Sequence, residues 1–282
     1  MSRTVYVNGS FVPEADAKVS VFDRAFLFAD GVYEVTAVLD GRPIDLEGHL
    51  TRLDRSLAEM QIARPLTHAQ LRALHAELIV RNKVDEGVVY LEITRGAADR
   101  DFLYPESVPP TVVAFSQSRP LLDNPYAVSG VKVISLPDIR WKRRDIKSTS
   151  LLAQTMGKQE AKGRGTYEAW MVEDGFVTEG TSSTAFIFDA NGCIRTQPLG
   201  NHILAGVTRR AVLRLAKAEG LTVEERPFTV AEAKQSREAF LTAASAFVLP
   251  VVEIDGSPIG DGQPGPVARG FRRLYIEEAR KG

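Results

Sequence analysis

The chain has 282 residues, of which 44% are hydrophobic and 25% are charged, and its formal net charge is -1. This balance is typical of globular proteins and gives no bulk positive charge that would attract nucleic acid or an anionic membrane. At roughly 150 residues per domain the length allows two domains, and no stretch approaches the ~20 apolar residues of a membrane span.

These properties favour a small molecule as the partner, with no nucleic acid and no membrane. The first residues show no apolar segment of the signal-peptide kind, so we expect cytoplasmic residence. The single cysteine, Cys193, cannot form an internal disulfide, and we interpret it as a packed thiol. We predict no metal site.

The first half of the chain mixes alternating and helical patterns. The turn Asn8-Gly9 separates two short β-type runs, which predicts an opening hairpin. Leucines recur later at the three- and four-residue spacing of amphipathic helices. Strands are predicted at 4–7, 10–12, 32–38, 88–94 and 111–115, and helices at about 47–61 and 68–82. The first domain is therefore α+β, and it spans residues 1–118.

A polar, proline-bearing stretch at 119–130 follows no period and is predicted to be the linker. The remaining residues, 131–282, form the predicted second domain. Its strands are expected at 131–135, 167–172, 176–178, 184–189 and 193–194, and its helices at about 149–163, 207–219 and 265–280. Gly220 follows one of these helices at the position where a helix commonly ends.

Three local groups of residues suggest chemistry. In 201–210 a glycine-containing turn enters a helix, and free backbone N–H groups there attract an anion, although an ordinary helix cap explains the same pattern. Glu179 begins a run of glycine and hydroxyl residues that also suits a solvated loop. A third loop, 94–105, carries two arginines, which bind carboxylates through paired bonds or serve as surface ion-pair partners.

The order of motifs along the chain resembles the fold type IV pyridoxal-phosphate enzymes, and among them the D-amino-acid transaminases. The resemblance covers essentially the whole chain. It rests on Asp23-Arg24, Phe28 to Val35, His49 to Leu53, Asp138 to Ser148, Thr178 to Gly180 with Ser182 and Ser183, and Ile203 to Arg209. It implies a small N-terminal α/β domain, a larger C-terminal barrel-like domain, and a homodimer whose partner contributes to the pocket.

The resemblance also assigns roles to single residues. Lys147 is implied as the Schiff-base lysine of pyridoxal 5'-phosphate, Arg52 as a contact of its phosphate, and Glu179 as the partner of its pyridine nitrogen. Leu204 is expected against the ring. The implied cofactor-binding residues are Arg52, Lys147, Glu179, Ser182, Leu204, Gly206, Val207, Thr208 and Ser245, and the implied substrate-binding residues are Tyr33, Arg100 and Phe102.

Two departures from the family pattern concern the substrate. Phe102 occupies the position where the family has a histidine that helps to hold the α-carboxylate, and Ala37 replaces a frequent lysine. The pocket is therefore expected to be less polar and less positive. This favours transamination between a D-alanine-like D-amino acid and a 2-oxo acid, with looser selection that extends to (R)-primary amines.

Three other functions stay open. Branched-chain L-amino-acid transaminases resemble this chain too, but they commonly carry a tyrosine where it has Leu152. Aminodeoxychorismate lyase keeps the same lysine and glutamate, and Arg100 with the Tyr33 segment counts against it. A non-catalytic binding protein is disfavoured because Lys147, Glu179 and Arg52 are all present.

Overall fold

The computed structural model describes residues 3–281 and divides the chain into two units. The first unit comprises Met1–Pro120 and Ile146–Ser150, and the second comprises Leu121–Asp145 and Leu151–Gly282. The segment 146–150 differs from the division made on the sequence, which kept 131–282 together. It carries Lys147 into the first unit, because Ile146 packs in that unit's hydrophobic core.

The first unit is a six-stranded antiparallel sheet with two long helices. Its elements are β1 (Thr4–Val7), β2 (Ser10–Pro13), α1 (Arg24–Phe28), β3 (Gly31–Leu39), β4 (Arg42–Pro43), α2 (Leu46–Glu59), α3 (His68–Asn82), β5 (Gly87–Thr94) and β6 (Thr111–Ser118). The strand order is β2-β1-β6-β5-β3-β4. Asn8 and Gly9 both have positive φ, as the predicted hairpin turn requires. The strands and both long helices expected in this half are confirmed.

The two faces of this sheet differ because side chains alternate along each strand. On one face, Val32 and Val38 pack with Leu50, Leu53 and the leucines of α3 in one core. The opposite face carries Tyr33 of β3 and Tyr90 of β5, which are each only partly buried. Capping supports the helical face, since Thr67 and Gln70 form a capping box at the start of α3.

The second unit is built on a nine-stranded mixed sheet. Its elements are α4 (Pro125–Ser129), β7 (Val131–Pro137), α5 (Leu152–Gly163), β8 (Glu168–Glu173), β9 (Phe176–Gly180), β10 (Thr184–Phe188), β11 (Cys193–Thr196), α6 (Val207–Ala218), β12 (Thr222–Glu225), α7 (Val230–Lys234), β13 (Glu238–Ala243), β14 (Phe247–Ile254), β15 (Ser257–Pro258) and α8 (Pro266–Lys281). The order is β12-β11-β10-β13-β14-β7-β8-β9, with β15 paired to β14. The sheet curls as a half barrel, in agreement with the expected barrel-like domain.

The sequence patterns missed the central strands β13 and β14 because nearly all of their residues are buried on both faces. Such strands lack the alternation that identifies a half-exposed strand. The predicted helix at 149–163 begins later, at Leu152, because Thr149 donates a backbone hydrogen bond to Gly31 in the first unit's sheet. Within residues 3–281 no helix has the length and apolar composition needed to cross a membrane.

Candidate active site

In the first unit, Lys147 is held by backbone hydrogen bonds to two neighbouring elements. The Tyr33 N–H donates to the Lys147 carbonyl at 3.0 Å, and the Lys147 N–H donates to Ser56 Oγ of α2 at 3.2 Å. Ser148 forms an isolated bridge with Val32. The segment therefore lies along the start of β3, and the lysine backbone is fixed although the residue belongs to no regular element.

The Lys147 amine lies over an aromatic ring. Its Nζ is 4.1 Å from the centroid of the Tyr33 ring, and Tyr33 stacks on Tyr90 at 5.6 Å between centroids. Among the described residues, no carboxylate forms an ion pair with this amine. The residue is half-buried, whereas the sequence suggested a fully buried amine. A positioned amine without a carboxylate partner is suited to react with a carbonyl group.

Arg52 of α2 is paired within the first unit. Its guanidinium donates to both oxygens of Glu34, at 2.8 and 2.7 Å, and His49 Nδ1 lies 2.7 Å from Glu34 Oε2. Burial alone would raise the pKa of Glu34, but the charge and hydrogen bonds of Arg52, together with His49, lower it to about 2. Arg52 is thus held rigidly, and its assignment to the cofactor phosphate stays a prediction.

Arg100 and Phe102 lie on the exposed loop 99–110 between β5 and β6. The Arg100 guanidinium lies 5.3 Å from the Phe28 ring centroid and 5.4 Å from that of Phe102. Phe102 is 77% exposed and contacts the Phe28 ring at a centroid distance of 5.5 Å. The guanidinium of Arg100 therefore contacts two aromatic rings, and its N–H groups stay available to an anion.

In the second unit, Glu179 at the end of β9 is the last member of a buried ion-pair chain. Arg140 donates to Asp138 Oδ1 through Nε at 2.9 Å and to Glu179 Oε1 through Nη1. The Leu204 N–H donates to Glu179 Oε2 at 3.2 Å, so the predicted neighbours Glu179 and Leu204 do meet. Thr178 hydrogen-bonds Asp138 at 2.6 Å and completes the chain.

Burial raises the pKa of both carboxylates of this chain, but the net shifts of the two pKa values are opposite. Burial raises the pKa of Glu179, and the Arg140 charge, the Arg140 hydrogen bond and the Leu204 N–H offset only part of that effect. Burial also opposes ionisation of Asp138, but its hydrogen bonds and ion pair with Arg140 hold its pKa below the ordinary value. Of the two carboxylates, Glu179 is therefore the one whose ionised form an additional cation or N–H donor would stabilise more.

The start of α6 offers a second set of polar groups. Gly206 is the N-cap residue without a side-chain cap, and Val207 and Thr208 form the first turn, whose N–H groups have no partner within the helix. Thr208 Oγ1 is buried and has no hydrogen-bond partner among the described residues. A Cβ on Gly206 would approach Thr184 Oγ1 to 2.9 Å, so a larger residue at this position would force the Thr184 side chain to shift. These features fit the phosphate of the predicted cofactor.

The hydroxyl groups after Glu179 form hydrogen bonds with Glu168, whereas the resemblance implied that Ser182 binds the cofactor. Ser182 donates through both its N–H and its Oγ to Glu168 Oε1, at 2.8 and 2.9 Å, and Thr181 and Ser183 also donate to Glu168. Glu168 is completely buried and organises this turn. Ser245 lies half-buried in the three-residue turn between β13 and β14, and its cofactor role, like that of Ser182, stays a prediction.

The sequence patterns missed Glu34, Arg140 and Glu168 as site residues. Glu34 had a signal, because it shares the inward face of β3 with Val32, and a carboxylate at such a position requires a buried cation. The pairing of Arg140 with Glu179 and of Glu168 with the hydroxyl turn had none, since these partners lie 39 and 13 to 15 residues away along the chain. Among residues 3–281, no group of histidine, cysteine and carboxylate side chains is arranged to hold a metal ion.

Comparison with known sequences gives matches over most or nearly all of the chain. The model of the family described as amino-transferase class IV matches residues 31–254. A D-alanine aminotransferase from Bacillus licheniformis is 39% identical over 267 residues, which cover 94% of this chain and 93% of that protein. A D-alanine aminotransferase from Staphylococcus haemolyticus is 37% identical over 280 residues, which cover 97% of this chain and 98% of that protein.

Comparison with solved structures gives matches across both units. A branched-chain aminotransferase from Thermoproteus uzoniensis, solved with norvaline, has a TM-score of 0.88 at 27% identity, covering 99% of this chain and 95% of that one. A hypothetical aminotransferase from Mycobacterium tuberculosis in a PLP-bound form has a TM-score of 0.85 at 25% identity, covering 98% of both chains.

Proposed function

The chain belongs to the class IV aminotransferases, and from this premise we propose that it transfers amino groups between a D-amino acid of the D-alanine type and a 2-oxo acid. Its cofactor is pyridoxal 5'-phosphate, which is bound in the solved relative from Mycobacterium tuberculosis. The identity to D-alanine aminotransferases, 39% and 37% in the two cases above, favours D-amino acids over branched-chain L-amino acids.

One observation in the structure carries the enzymatic assignment. The Lys147 amine lies 4.1 Å from the Tyr33 ring centroid, and it has no carboxylate partner among residues 3–281. An ion pair would hold the nitrogen against a carboxylate, whereas the ring contact leaves it open to a carbonyl group. The lysine is therefore positioned for chemistry, which supports its role as the Schiff-base residue.

When bound, pyridoxal phosphate supplies an electron sink for the bond that breaks. We assign to Lys147 the transfer of a proton to and from the substrate carbon, because an amine within reach of that carbon acts as a general base. Glu179 supplies the negative charge that keeps the ring nitrogen protonated, and Thr208 with the first N–H groups of α6 holds the phosphate. Arg100 and Tyr33 are assigned to the substrate carboxylate.

The enzyme is expected to use D-alanine with 2-oxoglutarate or 2-oxobutyrate much faster than L-leucine, and to accept (R)-1-phenylethylamine slowly. The amine, which has no carboxylate, is expected to be accepted because Phe102 leaves the carboxylate site with one polar partner fewer. Amino transfer to each 2-oxo acid is measured with the three donors in parallel. Turnover of L-leucine alone would move the chain to the branched-chain class, and pyruvate formed without an amino acceptor would indicate lyase chemistry.

We also propose a homodimer, supported by exposed apolar side chains on the first unit. Phe26 and Leu103 are 77% and 78% exposed, and the Arg24 guanidinium joins α1 to the loop 99–110 through the Asp101 carbonyl at 2.7 Å. Apolar groups that protrude together commonly mark protein interfaces. Cytoplasmic residence and the absence of nucleic-acid and membrane partners stay predictions.

Light scattering is expected to give twice the 30.9 kDa mass of one chain. The double substitution Phe26→Asp with Leu103→Asp is expected to shift the protein to monomers, because the interface would have to bury two carboxylates. Val128→Asp is the matched control, since Val128 of the second unit is 82% exposed. A wild-type monomer, or equal dissociation by the control, would refute the proposed interface.

A further inference from the structure

The loop 99–110, which carries Arg100, is joined to the rest of the first unit at few points. Among the described residues, its one hydrogen bond to the rest of the fold comes from Arg24 of α1, whose Nη1 donates to the Asp101 carbonyl at 2.7 Å. The Arg100 side chain has ring contacts but no hydrogen bond in the described part of the chain. The position of Arg100 therefore depends on how firmly Arg24 holds the residue next to it.

A buried carboxylate, that of Asp30, fixes Arg24. The Arg24 Nε donates to Asp30 Oδ2 at 2.7 Å, and Arg95 donates to both oxygens of the same carboxylate, at 2.7 and 3.0 Å. Arg95 also contacts the loop, because its guanidinium carbon lies 3.5 Å from the centroid of the Tyr104 ring. Asp30, Arg24 and Arg95 are 5%, 3% and 7% exposed. The two arginines thus contact the loop 99–110 while they are paired with one carboxylate.

The shape of the Arg24 side chain matters more here than its charge. A buried ion pair adds little net stability, because the loss of hydration offsets the attraction between the charges. A guanidinium, however, directs several N–H groups at fixed angles. The Arg24 Nε meets Asp30 while its Nη1 reaches the Asp101 carbonyl. One rigid group therefore connects the buried carboxylate to the loop backbone beside Arg100.

We propose that Asp30 is a positioning residue for the substrate carboxylate, which acts by holding Arg24 and, through it, the loop that carries Arg100. This inference rests on the proposed function, in which Arg100 binds the α-carboxylate of the amino acid. If the contact is broken, Arg100 occupies its binding position in only a fraction of the molecules, and the apparent Kd rises by the inverse of that fraction. Donors without a carboxylate do not use Arg100, so their binding does not change.

Arg24→Lys removes the contact with the loop and keeps the ion pair. A lysine ammonium can pair with Asp30, but it lacks the planar fork that reaches Asp30 and the Asp101 carbonyl together. With the holoenzyme and saturating 2-oxoglutarate, the KM of D-alanine is expected to rise about tenfold, as for the loss of one charge-assisted hydrogen bond, while kcat changes little. The kcat/KM of (R)-1-phenylethylamine should stay as in the wild type. Arg72→Lys is the matched control, because Arg72 forms a two-bond pair with Glu47 on the exposed surface of α3.

Asp30→Asn tests the carboxylate itself. It leaves Arg24 and Arg95 without their shared negative charge, so it is expected to raise the same KM and also to lower the unfolding midpoint. Thr67→Ala is the control for lost stability, because it removes the capping box of α3 and none of the bonds to Asp30. It should lower the midpoint and leave the KM unchanged. Arg24→Lys, which conserves every charge, decides the question if Asp30→Asn does not fold.

Arg100→Ala shows whether Arg24 acts through the loop arginine. Alone, it should raise the KM of D-alanine at least as much as Arg24→Lys does, and Arg24→Lys should add nothing in the Arg100→Ala background. An unchanged KM in Arg24→Lys, an equal loss for D-alanine and the amine, or a full additional effect in the double variant would overturn the role of Asp30 and leave the transaminase assignment intact. A wild type that transfers no amino group from D-alanine would instead refute the proposed function.

Discussion

Replacement of Lys147 by alanine is expected to lower the turnover of D-alanine with 2-oxoglutarate by about three to four orders of magnitude, which is the upper range for a positioned proton-transfer group. The amine forms no ion pair with a described residue, and the segment is held through backbone hydrogen bonds to Ser56 and Tyr33. Thermal unfolding should therefore change little. Steady-state rates and the unfolding midpoint, measured on the same preparations, separate lost chemistry from lost folding.

The covalent role of Lys147 has a readout that does not depend on turnover. Hydride reduction of a carbon–nitrogen double bond leaves a stable single bond, so the reduced wild-type holoenzyme should carry the cofactor on the peptide that contains Lys147. Lys158→Ala is the matched control, because its amine also lies 4.1 Å from an aromatic centroid, that of Tyr167. Labelling of a different lysine, or full activity of Lys147→Ala, would refute the assignment.

Local patterns predicted much of the fold because they act over a few residues. The Asn8-Gly9 turn forms because both of its residues adopt positive φ. The helices α2 and α3 form because their leucine spacing places the apolar side chains on one helix face. The strands β13 and β14 were not predicted because they are buried on both faces. Their identity depends on neighbouring strands rather than on a period of their own.

In the candidate site, too, local motifs predict individual residues, but they do not predict pairings between residues that are distant along the chain. The motif order predicts Lys147, Glu179 and Leu204 as site residues, and the structure brings Glu179 and the Leu204 N–H together at 3.2 Å. It did not identify Arg140, whose pairing with Glu179 spans 39 residues along the chain. Nor did it place Lys147 in the first unit, because that placement depends on Ile146 packing in a distant core.

Glu179→Gln is expected to lower turnover about a hundredfold, comparable to the loss of one preorganised electrostatic contact in an active site. An amide has no negative charge, so it cannot keep a ring nitrogen protonated. Its single oxygen can still accept a hydrogen bond from Arg140, but the NH2 group that replaces Oε2 cannot accept from the Leu204 N–H. Glu179→Asp keeps the charge and should retain more activity than the glutamine variant. The measurement is kcat for D-alanine with 2-oxoglutarate at saturating cofactor.

The same substitution is expected to stabilise the cofactor-free protein. Since burial places the pKa of Glu179 above its ordinary value, the folded state binds the proton more tightly than the unfolded state, and stability falls as the pH rises from the unfolded pKa toward the folded one. Glutamine avoids this cost, so its unfolding midpoint near neutral pH should be higher. Glu253→Gln, which removes a surface carboxylate 2.8 Å from Lys132, should change neither stability nor turnover appreciably. Opposite effects on stability and turnover would show that Glu179 is retained for its charge, and full activity of Glu179→Gln would exclude that role.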